Sequence, residues 1–278
     1  SESRGLGDVY KRQIRTDKLI NANEVYQTQH DERIVEYLKH PEAGPELLFF
    51  SGGSAIRNLC QCLQNYTHNS IHLLTPFDSG GSTAELRKFL NMPAVGDVRA
   101  RLLDLISPAQ SGYQSIINLF NYRLAPHSIK DKQHHFLIDT AIGKNTLIKP
   151  LNRSLKRVVC HYLKVFLKQV SEDFNFNGAC IGNLILAGGY LVNNRQLEPA
   201  IFELSELLSV RGKVRLTVNN NYHLTAALKN GRRVLGQHKI TGKEHPPIES
   251  PIQSLSLSNG LDSYLSLIHI SEPTRLRS

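Results

Sequence analysis

A strand–glycine turn–helix unit that occurs twice in succession constrains the fold of this chain more than any other feature of its sequence. An apolar run at residues 46–50 stops at SGGS (residues 51–54), and apolar residues at helical spacing continue to residue 63. A second apolar run at 71–74 ends before Asp78, and another SGGS (residues 79–82) leads into a helical pattern up to Leu90. Short buried strands that alternate with helices are typical of a parallel sheet with helices on both faces. The pattern predicts an α/β fold that binds ligands at the carboxyl ends of its strands.

The rest of the chain is predicted to be mostly helical. Residues 14–44 have the pattern of a surface helix and linker, and further helices are expected at 97–106, 116–122, 154–174, 182–189 and 199–208. Asp97 would cap the first of these five, and the small residues of 182–189 would let that helix pack closely on the sheet. A strand is expected at 213–218, followed by a hairpin of strands 224–228 and 234–239 around the turn pair Asn230-Gly231. Residues 125–150 are interpreted as a lid or an insertion, and no strand–helix unit is expected in the Ser- and Pro-rich segment 246–264.

Both ends of the chain have the coding pattern of a sequencing adapter. Residues 3–13 can be back-translated into DNA whose reverse complement encodes residues 265–275, and all eleven codons match. Such scars are excluded from fold reasoning. We interpret residues 1–13 and 265–278 as adapter artefacts and residues 14–264 as one incomplete domain, and we expect both natural termini to be missing.

The positive charge of the chain does not by itself indicate a nucleic-acid partner. The net charge is +9 over 278 residues and +7 over the 251 residues between the adapter-like ends. The basic residues near the hairpin do not follow one aromatic-lined face, as a base-stacking surface requires; they include Arg211, Lys213, Arg215, Arg232 and Arg233. No apolar run approaches the roughly 20 residues of a membrane span. The four cysteines form neither a disulfide framework nor a zinc-binding pattern. We expect a cytoplasmic protein without a membrane or nucleic-acid partner.

The two glycine turns favour a phosphorylated ligand. Such a turn lets backbone N–H groups approach a phosphate, and the following helix adds its positive end. One SGGS turn is weak evidence, because a glycine pair before a helix is often only a tight turn, but two in succession are stronger. Asp78 follows the second strand and Asp97 precedes a helix, so we expect their carboxylates to meet at one edge of the sheet, where they could share a divalent cation. Asn183, a polar residue in an apolar helix start, needs a backbone or ligand partner.

Other interpretations of the same residues remain open at this stage. Arg87, Arg99 and Arg101 lie on helices that lead from this edge, and any of them could clamp a phosphate or be a solvated surface residue. Asp78 also follows the first glycine turn at about the spacing of an acid that binds a ribose in dinucleotide-dependent dehydrogenases. The turn lacks the three-glycine fingerprint of that class, so no NAD or flavin cofactor is expected. The pair His134-His135 is interpreted as surface residues.

Five segments in this order resemble the CofD/YvcK family, which contains 2-phospho-L-lactate transferases and nucleotide-sugar-binding gluconeogenesis-factor proteins. The segments lie between about Leu47 and Ile252 and read FFSGGSAIRNL, LLTPFDSGGSTAELRKF, PAVGDVRARLLDL, GACIGNLILAGGYL and GKVRLTVNNNYHLTAALKNGRRVLGQHKIT. The resemblance implies a Rossmann-like, three-layer, doubly wound α/β fold with a mainly parallel sheet. This fold would be truncated at the C-terminus, because the family continues with a further strand and more helices.

The resemblance also implies an activity and a set of site residues. The transferases of the family move a phospholactyl group from a guanosine-diphosphate-linked donor to a hydroxyl of a deazaflavin precursor, with a divalent metal such as Mg²⁺. By this resemblance the catalytic residues are Asp78 and Asp97, which hold the metal unless Asp78 acts as the base toward the acceptor hydroxyl. Arg99 would neutralise the phosphates, and Asn183 would fix the nucleotide. The expected nucleotide-binding residues are Gly52, Gly53, Ser54, Ser79, Gly80, Gly81, Ser82, Arg99, Gly182 and Asn183.

Two departures from the family pattern leave the choice between an enzyme and a regulator open. The paired aspartates of the family become Asp78-Ser79 here, and a histidine that often precedes the Gly-Asn-Leu helix is Ala179. The form FDSGGS is nearer to the gluconeogenesis-factor branch. The alternative is therefore a non-enzymatic protein that binds a nucleotide sugar and regulates a partner. In both cases the expected ligand is a nucleoside diphosphate or a nucleotide sugar, and a homodimer is left open.

Overall fold

A parallel three-stranded sheet organises the computed structural model of the protein, which describes residues 32–52, 56–126, 129–171, 173–242 and 246–258 and the backbone of 264–266. The strands are β1 (Leu47–Ser51), β2 (Ser70–Leu74) and β3 (Lys213–Leu216), in the order β1-β2-β3. Leu47 lies opposite Ser70 in the first pair of strands, and Ile71 lies opposite Lys213 in the second. The predicted α/β class and its parallel sheet are confirmed.

Ten α-helices occur within the described residues. They are α1 (Glu32–Lys39), α2 (Arg57–Leu63), α3 (Gly81–Leu90), α4 (Gly96–Asp104), α5 (Tyr113–Asn121), α6 (Lys130–Ala141), α7 (Arg153–Gln169), α8 (Ile181–Val192), α9 (Leu197–Leu207) and α10 (Gln237–Ile240). The five helices expected between residues 97 and 208 are confirmed as α4, α5, α7, α8 and α9. Of the predicted surface helix at 14–44, α1 and a short 3-10 helix (Pro41–Ala43) are seen, and residues 14–31 lie outside the described part of the chain.

The second glycine turn, and the described start of the first at Ser51-Gly52, lie where the repeated unit predicts them. Strand β1 ends at Ser51, and α2 follows from Arg57; strand β2 ends at Leu74, and α3 begins at Gly81. Because β1 and β2 run parallel, their carboxyl ends lie at the same edge of the sheet, together with Gly52 and the second glycine turn. This edge is where ligands bind in open parallel sheets.

Helix α8 lies in the hydrophobic core and packs chiefly against α7, which corrects the expectation that its small residues face the sheet. A Cβ atom added at Gly188 would lie 2.0 Å from the backbone oxygen of Tyr162, and one added at Gly189 would lie 2.6 Å from the Tyr162 ring. The two glycines therefore let the α8 backbone approach α7 more closely than any side chain would allow. This contact fixes the position of α8, whose first turn reaches the edge of the sheet described below.

The segment 125–150, interpreted as a lid or an insertion, contains helix α6. Its Leu137 and Ala141 are buried, and the helix packs on α7. His134 and His135 are exposed on α6, as expected for surface residues. The weak apolar periodicity of α6 reflects the few buried positions that a peripheral helix needs.

A second, antiparallel sheet follows β3. Its strands are β4 (His223–Leu228), β5 (Arg233–Leu235), β6 (Ile252–Ser258) and β7 (Tyr264–Ser266), in the order β5-β4-β6-β7. The hairpin predicted at Asn230-Gly231 is confirmed, with Ala226 opposite Val234. Its second strand ends earlier than expected, because Gly236 adopts a φ of +98° and α10 follows. Strand β6 was not predicted, and the last two residues of β7 fall in the segment interpreted as an adapter artefact.

One face of the parallel sheet is exposed among the described residues. Leu48 and Phe50 of β1 point to this face and are 55% and 76% exposed. Their partners in the register, Ile71 and Leu73 of β2, are half-buried.

Within the described ranges, none of the helices has both the length and the apolar character that crossing a bilayer requires.

Candidate functional site

The carboxyl-end edge of the sheet brings Gly52 together with the two predicted carboxylates. A Cβ atom added at Gly52 would lie 3.8 Å from Asp97 Oδ2, so the side chain of α4 reaches the end of β1. A Cβ atom added at Gly96 would lie 3.1 Å from Asp78 Oδ2, so the residue that follows β2 reaches the start of α4. Asp78 and Asp97 are both half-buried. The structure therefore places the Asp97 carboxylate near the end of β1 and the Asp78 carboxylate near the start of α4.

Asp78 contacts the backbone of the second glycine turn, and Asp97 lies in the first turn of α4. Asp78 Oδ1 accepts a hydrogen bond from the Gly80 backbone N–H at 3.1 Å, which shapes the second glycine turn. Asp97 is the second residue of α4, and Val95 is at the N-cap without a side-chain capping bond. The expectation that Asp97 caps this helix is therefore wrong. Its carboxylate lies in the first helical turn, where the helix dipole favours a negative charge.

Three helices begin around this edge. Helix α3 begins at Gly81 after the turn, α4 begins at Gly96, and α8 begins at Ile181 and packs against both α3 and α4. The first backbone N–H groups of a helix have no partner within the helix, and they carry its positive end. The starts of α3 and α4 at the end of a parallel sheet therefore form a setting suited to an anion with several charged oxygens. In α8 the N–H groups of Ile181 and Asn183 already donate to the backbone oxygens of Tyr122 and Cys180, so its start contributes mainly the positive end of the helix.

Asn183 connects two of these helix starts and retains an unsatisfied acceptor. It lies in the first turn of α8, and its Nδ2 lies 3.3 Å from Ser82 Oγ and 3.4 Å from Thr83 Oγ1 of α3. The residue is only 2% exposed, and no donor within the described part of the chain pairs with its Oδ1. Leaving a buried amide oxygen unpaired is costly, so the position calls for a donor from a ligand or a water molecule.

Gly81 and Gly182, two more of the predicted binding residues, differ in what surrounds them. Gly81 has a φ of +52°, and no atom of the described residues lies within 4 Å of a Cβ added there, so the turn faces open space. A Cβ atom added at Gly182 would lie 2.5 Å from the Phe120 oxygen and 2.7 Å from Arg99 Cδ. Gly182 is therefore required for packing between α8, α5 and α4. Gly53 and Ser54 are outside the described residues.

Arg99 lies beneath the start of α8 and is held by several acceptors. Its Nη1 donates to Asn121 Oδ1 at 3.0 Å, to the Phe120 oxygen at 3.3 Å and to Cys180 Sγ at 2.7 Å. The guanidinium is thus half-buried beside the helix start rather than extended into solvent. This position puts a fixed positive charge next to Gly182 and Asn183.

Arg87 is turned inward and supports the second glycine turn from behind. It is 2% exposed, and its Nη1 donates to the Asp78 oxygen at 2.8 Å and to the Phe77 oxygen at 3.2 Å. Its Nε donates to Asn221 Oδ1 at 2.8 Å, and its Nη2 donates to the Tyr222 oxygen. Burial lowers the pKa of Arg87 to about 10, and the nearby charge of Asp78 opposes that change. Arg87 therefore ties the turn to the segment after β3 and does not point toward a ligand.

Arg101 is likewise a structural residue. It is fully buried, and its Nη1 lies 3.3 Å from Asp104 Oδ2 and 2.9 Å from Cys60 Sγ. Asp104 also accepts a bond from Arg57 Nε at 3.0 Å. Burial raises the pKa of the Asp104 carboxyl, and Arg101 and Arg57 oppose that change. The buried charges link α4 to α2, and Arg101 is directed to Asp104 and Cys60 rather than to Asp78 or Asp97.

His238 is a residue of this edge that sequence reasoning missed. It lies on α10, after the hairpin, and its Nδ1 forms a hydrogen bond with Ser79 Oγ. The two residues are 159 positions apart in the chain, so no local pattern indicates their contact. The interpretation of residues 234–239 as one strand also concealed the turn at Gly236 that brings His238 to the second glycine turn.

The donor set at this edge suits a divalent cation that also contacts a ligand. Among the described residues there is no group of three or more His, Cys, Asp or Glu side chains that could hold a metal ion alone. Asp78 and Asp97 supply two carboxylates, and a Mg²⁺ ion bound in this way takes its remaining oxygens from phosphate and water. The two residues therefore fit a metal that arrives with a phosphorylated ligand.

A separate hollow of about 250 Å³ lies away from this edge. It is lined by Ser107, Ala109, Gln110, Ser209 and Arg211, near the amino end of β3. It contains a single charged side chain and no carboxylate. The carboxyl-end edge, with its two carboxylates, three helix starts and unpaired Asn183 oxygen, is therefore the better candidate for a functional site.

A family model, curated sequences and a solved structure all show similarity to this chain. The family model described as 2-phospho-L-lactate transferase CofD matches residues 47–263. An uncharacterized protein of Saccharomyces cerevisiae is 28% identical over 234 residues, which cover 79% of this chain and 49% of that protein. The gluconeogenesis factor of Bacillus subtilis is 24% identical over 196 residues, which cover 70% of this chain and 46% of that protein.

A solved structure has the same fold. A crystal structure of a protein from Bacillus halodurans superimposes with a TM-score of 0.53 at 22% identity, and the match covers 81% of this chain and 54% of that one. The chain thus spans about half the length of the curated relatives and of the structure that it matches. The observed α/β, Rossmann-like fold agrees with this similarity. Because the family model covers most of the chain, from the first strand of the parallel sheet to a point beyond strand β6 of the second sheet, the protein belongs to the CofD family.

Proposed function

We propose that the carboxyl-end edge binds the diphosphate of a nucleoside diphosphate or a nucleotide sugar. The observation that carries the proposal is the meeting of three helix starts with the unpaired, buried Asn183 Oδ1 at the end of a parallel sheet. Backbone N–H groups and helix dipoles favour phosphate oxygens, and Gly52 and Gly81 leave room for them. Asn183 Oδ1 accepts a hydrogen bond from a ligand N–H or O–H group.

In the complete protein we propose a transferase-type reaction at this edge. An acceptor hydroxyl forms a new P–O bond at the phosphorus of the donor, the P–O bond to the departing nucleoside monophosphate breaks, and Asp78 takes the hydroxyl proton. Arg99 and the helix starts stabilise negative charge that develops on the phosphoryl oxygens. When bound, a divalent metal would supply further charge neutralisation, and Asp78 and Asp97 are the residues that would hold it. Arg87 keeps Asp78 in place through its backbone oxygen.

A non-enzymatic regulator that binds a nucleotide sugar is the second candidate. Two observations favour it: curated relatives of the chain are named gluconeogenesis factors, and Ser79 stands where the transferase pattern has a second aspartate. Its binding edge would be the same, but Asp78 would only shape the turn through Gly80. Four free cysteines, none of them in a disulfide, suit the cytoplasmic location that we propose for either function.

Substitution of the two carboxylates tests the catalytic proposal. With the complete protein, Asp78→Asn and Asp97→Asn should each lower metal-dependent transfer from a nucleoside-diphosphate donor by about 100-fold, the effect of losing a proton acceptor or a charge partner. Asp131→Asn, an exposed acid on α6, is the matched control and should leave the rate unchanged. Unchanged turnover in both site variants would refute the catalytic assignment.

Calorimetric titration distinguishes the candidate functions by ligand. Tight binding of a UDP-sugar with no transfer activity favours the regulator, and binding of GDP with turnover of its linked donor favours the transferase. Binding of NAD in place of both would instead support the dehydrogenase interpretation. A steep dependence of affinity for DNA or RNA on salt would support a nucleic-acid partner.

A further inference from the structure

In the described part of the chain, the segment that follows the hairpin contacts the second glycine turn through His238. Gly236 ends β5 with a φ of +98°, its N–H donates to the Leu224 oxygen at 2.8 Å, and the chain turns into α10. A Cβ atom added at Gly236 would lie 3.1 Å from His238 Nδ1 and 3.2 Å from Ser79 Oγ. The tight turn therefore brings His238 against Ser79 with no space for a side chain between them.

His238 contacts the Ser79 hydroxyl with both its side chain and its backbone. Its Nδ1 lies 2.5 Å from Ser79 Oγ, and its backbone N–H lies 3.4 Å from the same oxygen. Ser79 is the residue between Asp78, whose carboxylate shapes the turn, and Gly80, the N-cap of α3. The contact thus reaches the part of the chain that the proposed function assigns to phosphate binding.

The hydrogen-bonding capacity of a hydroxyl determines what this contact can do. A serine hydroxyl accepts two hydrogen bonds and donates one. If Nδ1 of His238 carries its proton, the imidazole and the backbone N–H occupy both acceptor positions of Ser79 Oγ, and the hydroxyl hydrogen remains for a third partner. Among the described residues, Ser79 Oγ forms hydrogen bonds with His238 and with no other residue. The remaining partner is then a ligand or solvent oxygen.

We propose that His238 is a positioning residue for the bound nucleotide: its Nδ1–H donates to Ser79 Oγ and directs the Ser79 hydroxyl toward a phosphate oxygen. This inference rests on the proposed nucleotide binding at the same edge and adds the hairpin to the site. It also gives Ser79 a role that a carboxylate cannot fill, because an ionised aspartate only accepts hydrogen bonds. A diphosphate provides acceptor oxygens, so a hydroxyl donor at this turn suits it.

Calorimetric titration of the full chain with GDP and with pyrophosphate tests the pair. Ser79→Ala and His238→Ala should each weaken binding of both probes by about tenfold, the effect of losing one hydrogen bond to a charged group. The affinity of the double variant should lie within about threefold of the affinity of either single variant, because the two residues act on one contact. His238→Asn should stay within about threefold of the unsubstituted chain, since its amide N–H takes the place of Nδ1–H. His134→Ala, on the exposed side of α6, is the control and should bind normally.

Nitrogen-15 NMR of the imidazole gives an independent measurement that a packing role would not affect. The resonance of His238, assigned by its loss in His238→Asn, should show a protonated Nδ1, and it should move when pyrophosphate is added. An unprotonated Nδ1 that accepts from Ser79 would overturn the inference, as would His238→Asn binding as weakly as His238→Ala. If His238→Ala fails to fold, Ser79→Ala and the NMR measurement decide the question.

The outcomes separate this inference from the function on which it rests. If the unsubstituted chain binds neither GDP, a UDP-sugar nor pyrophosphate, the proposed function is wrong, and the inference is wrong with it. If the unsubstituted chain binds and the Ser79 and His238 variants bind equally well, the inference alone is wrong.

Discussion

Replacement of the buried Arg87 by methionine should destabilise the protein by about 3 kcal/mol. Arg87 donates to three backbone oxygens, those of Phe77, Asp78 and Tyr222, and to one side-chain oxygen. Leaving three backbone acceptors unpaired costs roughly 2 kcal/mol each, or about 6 kcal/mol. Against this, methionine removes a buried charge. The burial that lowers the pKa of Arg87 to about 10 corresponds to about 3 kcal/mol, which offsets part of the loss.

Urea denaturation followed by circular dichroism measures this change directly. Arg87→Lys keeps the charge and reaches some of the same oxygens, so it should lose only about 1–2 kcal/mol. Lys88→Met, at the next position of α3 and exposed, is the matched control and should change stability by less than about 0.5 kcal/mol. Arg87→Lys should also weaken GDP binding, because the Asp78 oxygen then loses part of its support. If Arg87→Met lost less than about 1 kcal/mol, the guanidinium would not hold the turn as described.

Two further predictions concern the sheet and the core. The pKa of His72 is lowered to about 4, first by burial and then by the charge of Arg101, so the residue stabilises the fold above about pH 6.5, and this contribution is lost as the pH falls toward 4. In urea titrations at several pH values, the loss of folding free energy between pH 6.5 and pH 4 should therefore be smaller by roughly 3 kcal/mol in His72→Phe than in the unsubstituted chain. An unchanged pH dependence would contradict the assignment. Gly188→Ala should lower stability by about 3 kcal/mol in thermal unfolding, because its Cβ would lie 2.0 Å from the Tyr162 oxygen, and an unchanged melting temperature would contradict the close contact of α8 with α7.

The glycine-turn repeat was sufficient to predict the parallel sheet and the edge at which its strands end. Buried strands with short glycine turns have a local signature, and parallel pairing then requires Gly52 and Asp78 to lie at one edge. The same reasoning placed Asp97 and Asn183 near that edge, although it assigned Asp97 to the wrong helix position. Local sequence also identified the Asn230-Gly231 hairpin, because few residues fit its turn.

The parts that sequence did not predict depend on contacts between distant segments. His238 meets Ser79 across 159 residues, and the antiparallel strand β6 forms from a Ser-rich segment because β4 supplies its partner. The inward direction of Arg87 and Arg101 depends on which face of each helix the core covers, and three arginines near one edge look alike in the sequence. The glycine pair of α8 indicates that another element packs closely on this helix, but its sequence does not show whether that element is the sheet or α7.

Amide chemical-shift mapping of the protein with GDP tests the central claim most directly. If the helix starts at this edge bind the diphosphate, the largest shifts should fall on the backbone N–H groups of Gly52, Gly81 and Gly96, and pyrophosphate should shift the same groups. Shifts that instead concentrate around the hollow near Arg211, or that are absent with GDP, a UDP-sugar and pyrophosphate alike, would contradict the assignment of this edge as the nucleotide site.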